Sequence, residues 1–189
     1  LANLYLHYVF DLWVQRWRRT QAHGDVVVVR FADDFVLGLE HREDAERLLT
    51  DLRERFAQFG LALHPDKTRL LEFGRYAVER RQQRGDRKPA TFNFLGFTHI
   101  CGKTRTGKFT VLRQTMRQRW QAKLKAVATE LRQRLHQPIP DVGAYVQAVV
   151  RGHFQYYGVP MNTPALCAFR HGIGRVWRQV LGRRSQTAH

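Results

Sequence analysis

Apolar residues at Leu1, Leu4, Tyr5, Tyr8, Leu12 and Trp13 recur at helical spacing and predict an opening helix with a broad apolar face. Gly24 in QAHGD ends that pattern. Four valines come next at 26–29, and strands are predicted over 26–31 and 35–39, joined by a short turn around Asp33 and Asp34. An unbroken β-branched run predicts a strand covered on both faces. HREDAERLLTDLRERFAQFG returns to the helical period, with Leu48, Leu52, Phe56 and Phe59 inward and Gly60 as the stop. LALHPDKTRLLEFG predicts a short strand, a turn at Pro65–Asp66 and a second strand from Thr68.

Further on, TFNFLGFTHICGKTRTGKFTVL predicts a hairpin with Gly102 to Gly107 in its loop. RQRWQAKLKAVATELRQRL predicts a long basic helix with Trp120, Leu124, Val127 and Leu131 inward, ended by Pro138 and Pro140. DVGAYVQAVVRGHFQYYG predicts a second helix with Asp141 as its candidate cap. PALCAFRHGIGRVWRQVLGRR predicts a third, weakened by Gly172 and Gly174. There is no internal repeat. The expected fold is α+β: a strand–turn–strand unit with helices, a hairpin, then a small helical bundle.

Charge changes this picture more than composition does. The 189 residues carry a formal net charge of +16, which points to a polyanionic partner. Residues 1–90 hold 16 Lys/Arg against 14 Asp/Glu, whereas residues 91–189 hold 16 against 2. The shift comes after RRQQRGDRKPA, so acid chemistry is expected in the first half and polyanion binding in the second. Two cysteines, Cys101 and Cys167, exclude a disulfide framework, and no Cys/His spacing suggests zinc. The histidines are scattered, with no HExxH. No apolar run is long enough for a membrane span and no leader is legible. The expected setting is the bacterial cytoplasm, in association with nucleoid or RNA.

Adjacent carboxylates in a tight turn raise each other's pKa, and a divalent cation is the usual relief. Aspartates are also favoured in turns for reasons unrelated to catalysis, so Asp33–Asp34 alone leaves both readings open. Beside a strongly basic surface, the chemistry that uses such a pair is phosphoryl transfer on nucleic acid.

FADD with its flanking strands resembles the YADD box of reverse transcriptases, with Phe31 where Tyr is commoner. LANLYLHYVFDLW is similar to the end of the SPLLANIYL segment of group II intron reverse transcriptases and its following palm helix. GLALHPDKTRLLEFG is similar to the next palm block, with Lys67 at the family's lysine, and FNFLGFTH to the block joining palm to thumb. The helices around RQRW and YYG resemble the thumb and maturase region. The resemblance spans essentially the whole chain. It implies palm material over 1–90, a palm–thumb hairpin over 91–112 and a helical thumb/maturase region over 113–189. It also implies two Mg²⁺ ions, with Asp33 and Asp34 as metal-binding catalytic residues. DNA synthesis would draw on dNTPs, a template RNA or intron RNA, and an RNA–DNA duplex. Against the family's pattern, the fingers, a first palm strand with another metal-binding aspartate, and a Gln-Gly stretch before LAN are not found. The resemblance therefore implies the C-terminal portion of a longer polymerase. A non-catalytic RNA-binding maturase fragment that assists splicing is the alternative.

Other residues carry narrower expectations. The resemblance places Lys67 at the triphosphate, where its plain reading is a solvated charge at a turn, and Phe31 either packs the hairpin or stacks beside the nucleotide or primer end. Arg30 lies beside the duplex or forms an ordinary salt bridge. Gly96 admits a nucleic-acid backbone or marks a bulge. Lys103, Arg105 and Lys108 project from a hairpin loop, and Arg113, Arg117, Lys123 and Lys125 line a helix with few acids, which favours phosphate contact. Tyr156 and Tyr157 stack on RNA bases or close the bundle core.

Overall fold

In the computed structural model, which describes residues 1–85 and 89–186, the opening helical segment buries a different face from the one its periodicity predicts. It comprises α1 (Ala2–Leu6), a π-helical turn (His7–Asp11) and α2 (Leu12–Thr20). Val9, Phe10, Val14 and Trp17 are buried, while Leu1, Leu4, Tyr5, Tyr8 and Leu12 stay exposed. Apolar residues lie on nearly every side of this segment, so spacing alone cannot choose the face. The π-turn also holds an extra residue and rotates the helical turns after it. Phe10 stacks on Phe35 at 4.6 Å and meets Phe56 edge-on at 6.1 Å. Complete burial of such a ring stabilises by about 1.5–3 kcal/mol.

The chain divides into two compact units, Leu1–Leu71 and the residues from Glu72 onward. The division falls earlier than the charge shift after residue 90. Residues 86–88 of the RRQQRGDRKPA stretch lie outside the described residues. Counted by unit, the first holds 10 Lys/Arg against 11 Asp/Glu, net −1, and the second 22 against 5, net +17. The structural division therefore sharpens the separation of charge.

In the first unit, β1 (Val26–Phe31) and β2 (Asp34–Leu39) form an antiparallel hairpin, in register from Val26↔Leu39 to Phe31↔Asp34. Val26 and Val28 pack on the core with Phe35, Leu37 and Leu39. Val27, Val29 and Phe31 are exposed, so the expectation of a strand covered on both faces is corrected: β1 has one packed face. Helix α3 (Arg42–Gln58) turns Leu48, Leu52 and Phe56 inward as predicted, but Phe59 lies past its end and is exposed. The two strands expected between Leu61 and Phe73 are absent. Leu61 and Leu63 do alternate inward, against the core, yet no strand among the described residues pairs with this segment.

In the second unit, α4 (Arg75–Gln83) is a polar helix that periodicity does not reveal, and Glu72 pairs with Arg80, Arg81 and Arg84 beneath it. Three strands, β3 (Phe92–Phe94), β4 (Phe97–Lys103) and β5 (Phe109–Thr115), form an antiparallel meander rather than one hairpin. Gly102 sits inside β4, not in the loop, and a Cβ there would meet Leu112 Cγ at 2.6 Å. Helices α5 (Arg117–Gln133), α6 (Ile139–Tyr157) and α7 (Thr163–Gln186) close a core of Val127, Leu131, Val142, Val146, Phe169, Ile173 and Val180. Asp141 makes no capping bond; it lies in the first turn of α6, where its charge favours the helix dipole. Pro140 belongs to that same first turn, where its missing N–H costs nothing. Gly172 and Gly174 do not interrupt α7. At Gly172 a Cβ would meet Leu124 Cδ1 at 2.7 Å, so the glycine is a point of close approach between α5 and α7.

Candidate active site

Phe31 and Asp34 face each other across the hairpin, which leaves Ala32 and Asp33 as a two-residue turn. Ala32 has φ +55°. Positive φ at the first central position alone is the sign pattern of a type II′ turn, which suits the twist of the strands but normally takes glycine. Alanine there stores strain, so neighbouring contacts must hold it. Asp33 takes the second central position and Asp34 opens β2. Both are exposed, and no hydrogen bond or ion pair engages either carboxylate among the described residues.

What holds the turn comes from the helix behind it. Asp11, the last residue of the π-turn, takes Arg30 in a fork: Nε donates to Oδ1 at 2.8 Å and Nη2 to Oδ2 at 2.6 Å. Arg30 Nη1 donates to the Ala32 carbonyl at 2.7 Å and reaches Asn3 Oδ1 at 3.4 Å. Bonding from Arg30 holds the Asp11 carboxyl below its ordinary range, and the same bond raises the Arg30 guanidinium. Of the two roles open to Arg30, the structure shows the salt bridge; its side chain is 16% exposed and its five donors are largely used.

Phe31 is 64% exposed on the outer face of β1, free to meet a ring from outside. Lys67 is exposed on the Pro65–Lys67 turn of the same unit, where its N–H and that of Thr68 donate to the His64 carbonyl. No hydrogen bond or ion pair joins Lys67 to either aspartate among the described residues.

A buried carboxylate that the sequence does not advertise braces the entry to β1. Asp44, in the first turn of α3, is 1% exposed. It accepts from the His23 N–H at 2.8 Å, the Gly24 N–H at 3.3 Å, His23 Nδ1 at 2.9 Å and Arg47. The His23 ring bond, against the cost of burial, holds its pKa down to about 2. Trp17 Nε1 donates to Asp51 at 2.7 Å on the same helix.

In the second unit the basic residues proposed to meet phosphate face solvent. Lys103, Arg105 and Lys108 are exposed around the β4–β5 loop, which Thr104 closes through bonds with Lys108 and Gly107. Arg113 is exposed on β5, and Arg117, Lys123 and Lys125 on α5. Arg134 differs: Glu130 holds it at 2.6 Å, and it lies over the Tyr145 ring at 4.5 Å.

Leu95 and Gly96, with φ +49° and +79°, make the turn between β3 and β4. The space left by the missing Gly96 side chain is taken by Tyr157, whose Oη would lie 2.9 Å from a Cβ. Tyr157 is half-buried and packs on Phe97 and His153. Tyr156 is exposed, stacks on Phe97 at 6.2 Å and donates to the Leu95 carbonyl at 3.1 Å. Of this pair, Tyr156 presents a ring face and Tyr157 is part of the packing.

Asn162 is fully buried and unforeseen. Its Oδ1 accepts from the Thr115 N–H at 2.9 Å, and Nδ2 donates to Thr115 Oγ1 and the Tyr157 carbonyl, each at 2.8 Å. It ties the end of β5 to the α6–α7 connection. The signal in sequence is weak: Asn-Thr-Pro reads only as a helix start, which Asn162 also provides through its carbonyl.

Two exposed, unengaged carboxylates suit a hard cation that keeps water and phosphate in its shell. No group of three or more His, Cys, Asp or Glu residues among the described residues is placed to hold a metal. The turn thus fits as a contributor of two ligands, not as a complete cage. No helix among the described residues is long and apolar enough to cross a membrane.

The family model for reverse transcriptases (RNA-dependent DNA polymerases) matches residues 1–99, from the opening helix through the start of the meander. No curated protein and no solved structure gives a significant match.

Proposed function

The chain belongs to the reverse transcriptase (RNA-dependent DNA polymerase) family, and from that premise we propose that its Asp33–Asp34 turn serves RNA-directed DNA synthesis of the group II intron type. The observation that carries the reading is the turn itself: two free carboxylates on a rigid hairpin, inside the matched residues. Asp33 and Asp34 would hold Mg²⁺. Two such ions, when bound, lower the pKa of a primer 3′-hydroxyl and stabilise the leaving pyrophosphate. Lys67 places a positive charge for the triphosphate, and Phe31 offers a ring face to the nucleotide or primer end. The unit of net +17 grips the template–primer and intron RNA through phosphate, with Arg113, Arg117, Lys123, Lys125 and the β4–β5 loop as its contacts.

A second reading has its own support. An RNA-binding maturase role without catalysis would draw on the net charge of +17 in the second unit alone. Primer extension on poly(rA)/oligo(dT) with Mg²⁺ and dTTP separates the two. The polymerase reading expects little synthesis by the 189 residues alone, and template-dependent synthesis once a polypeptide carrying the fingers and a further palm carboxylate is supplied. Asp33→Ala should then abolish synthesis while the RNA affinity stays nearly unchanged. Binding without synthesis in every combination would favour the maturase role.

A further inference from the structure

The fork between Asp11 and Arg30 does more than join a helix to a strand. Arg30 lies two residues before Ala32 and Asp11 ends the π-helical turn, so the pair spans two elements of the first unit. Two guanidinium nitrogens are fixed on Asp11, and the third is thereby aimed at the Ala32 carbonyl. Ala32 is the residue with φ +55°, a conformation alanine does not favour. A peptide unit in that state stays put only if something grips it. Arg30 supplies that grip, and it can do so only while Asp11 holds its other edge.

We propose that Arg30, aligned by Asp11, is a positioning residue that clamps the Ala32 carbonyl and thereby fixes the turn presenting Asp33 and Asp34 to a divalent cation. Arg30 touches neither carboxylate among the described contacts; it acts through the backbone. The π-turn has a part in this. It brings Asp11 to the strand while Val9 and Phe10 enter the core, so one distortion serves both packing and alignment. The demand is geometric. A lysine keeps the charge but lacks the planar fork, so it cannot hold Asp11 with two nitrogens and the carbonyl with a third. The proposal rests on the metal-binding reading of the turn, but its structural half stands by itself.

The test uses the 189-residue chain with Arg30→Lys, Arg30→Met and Asp11→Asn. Amide hydrogen exchange at residues 31–35 reads the clamp, and Mn²⁺ titration monitored by electron paramagnetic resonance reads the site. All three variants should speed exchange at the turn by about tenfold or more, the size expected for losing a hydrogen bond to a charged group. Exchange in the α5–α7 bundle should stay unchanged. Mn²⁺ affinity should fall by a similar factor, and adding Asp11→Asn to Arg30→Met should add little to either reading. If Arg30→Met fails to fold, Asp11→Asn and Arg30→Lys carry the test. Wild-type exchange at 31–35 in folded Arg30→Lys and Asp11→Asn overturns the clamp. Faster exchange with Mn²⁺ affinity unmoved shows a structural brace only, and overturns the positioning role. If Mn²⁺ binds wild type and Asp33→Ala alike, the metal-binding reading fails, and the clamp is judged on exchange alone.

Discussion

Replacing Arg117, Lys123 and Lys125 with alanine in the full chain should flatten the salt dependence of RNA binding without unfolding the bundle. The unit from Glu72 onward holds 22 Lys/Arg against 5 Asp/Glu. Two of those acids are already engaged, Glu72 with arginines of α4 and Glu130 with Arg134. The three substituted residues are exposed and have no acidic partner among the described residues, so their charge is available to phosphate. With five to eight phosphate contacts, log K against log salt should fall with a slope of roughly −4 to −7. Losing three contacts, at about 0.9 each on a duplex or 0.7 on a single strand, raises that slope by about two to three units. Between 50 and 200 mM salt, the variant should then lose about 16- to 64-fold less affinity than the wild type. Filter binding at four salt concentrations measures this, with helical circular dichroism as the folding control. Arg134→Ala is the internal contrast: its charge is held by Glu130, so the slope should barely move. An unchanged slope in the triple variant, or an equal change from Arg134→Ala, refutes the assignment of the α5 surface to phosphate.

Particular contacts set further outcomes. Asn162→Ala strands the Thr115 N–H in the interior, while the Tyr157 carbonyl keeps the Val159 N–H, and should cost about 1–3 kcal/mol in urea unfolding; a neutral effect contradicts the tie. Asp44 has its folded pKa lowered to about 2 from 3.8, so its stabilisation is present above 3.8 and fades as pH falls through about 2. Thermal unfolding should show this acid limb, and Asp44→Asn should flatten it while lowering stability near neutrality. Burial lowers the pKa of both His99 and His153, and Lys123 adds to the effect at His153. For histidines held neutral in the fold the sign is opposite to that of a paired imidazole: stability is lost as pH drops below the ordinary value near 6.5. His153→Phe, placed against the stacked Phe169, should remove part of that loss.

The sequence made legible what depends on local pattern and on a compact motif. The hairpin around Asp33 and Asp34, the inward leucines of α3 and the three helices of the bundle all lie where their spacing places them. It was less informative where several faces are apolar. The opening segment carries hydrophobic residues on nearly every side, so spacing does not single out Phe10, rather than Tyr8, as the buried ring. Valines at 26–29 read as doubly covered because β-propensity does not say what packs outside a sheet. Helix α4 offers periodicity no apolar stripe, since Ala77 is its one buried residue, and its ion pairs reach back to Glu72 outside the helix. Gly172 read as a weakness because propensity does not see Leu124 against it. The site was legible in its carboxylates and not in their support. Asp11 is one acid inside an apolar run, YVFDLW, and such a residue needs a partner; the fold shows that the partner is Arg30.

The central claim is that the Asp33–Asp34 turn binds the divalent cation of nucleotidyl transfer, and iron-directed cleavage tests it most directly. With Fe²⁺ in place of Mg²⁺, and an RNA–DNA template–primer and dNTP bound, ascorbate and peroxide should cut the backbone close to residues 31–36. Excess Mg²⁺ should suppress the cut, and Asp34→Ala should remove it while the duplex stays bound. Cleavage confined to other parts of the chain, or a cut at the turn that persists in Asp34→Ala, would contradict the account.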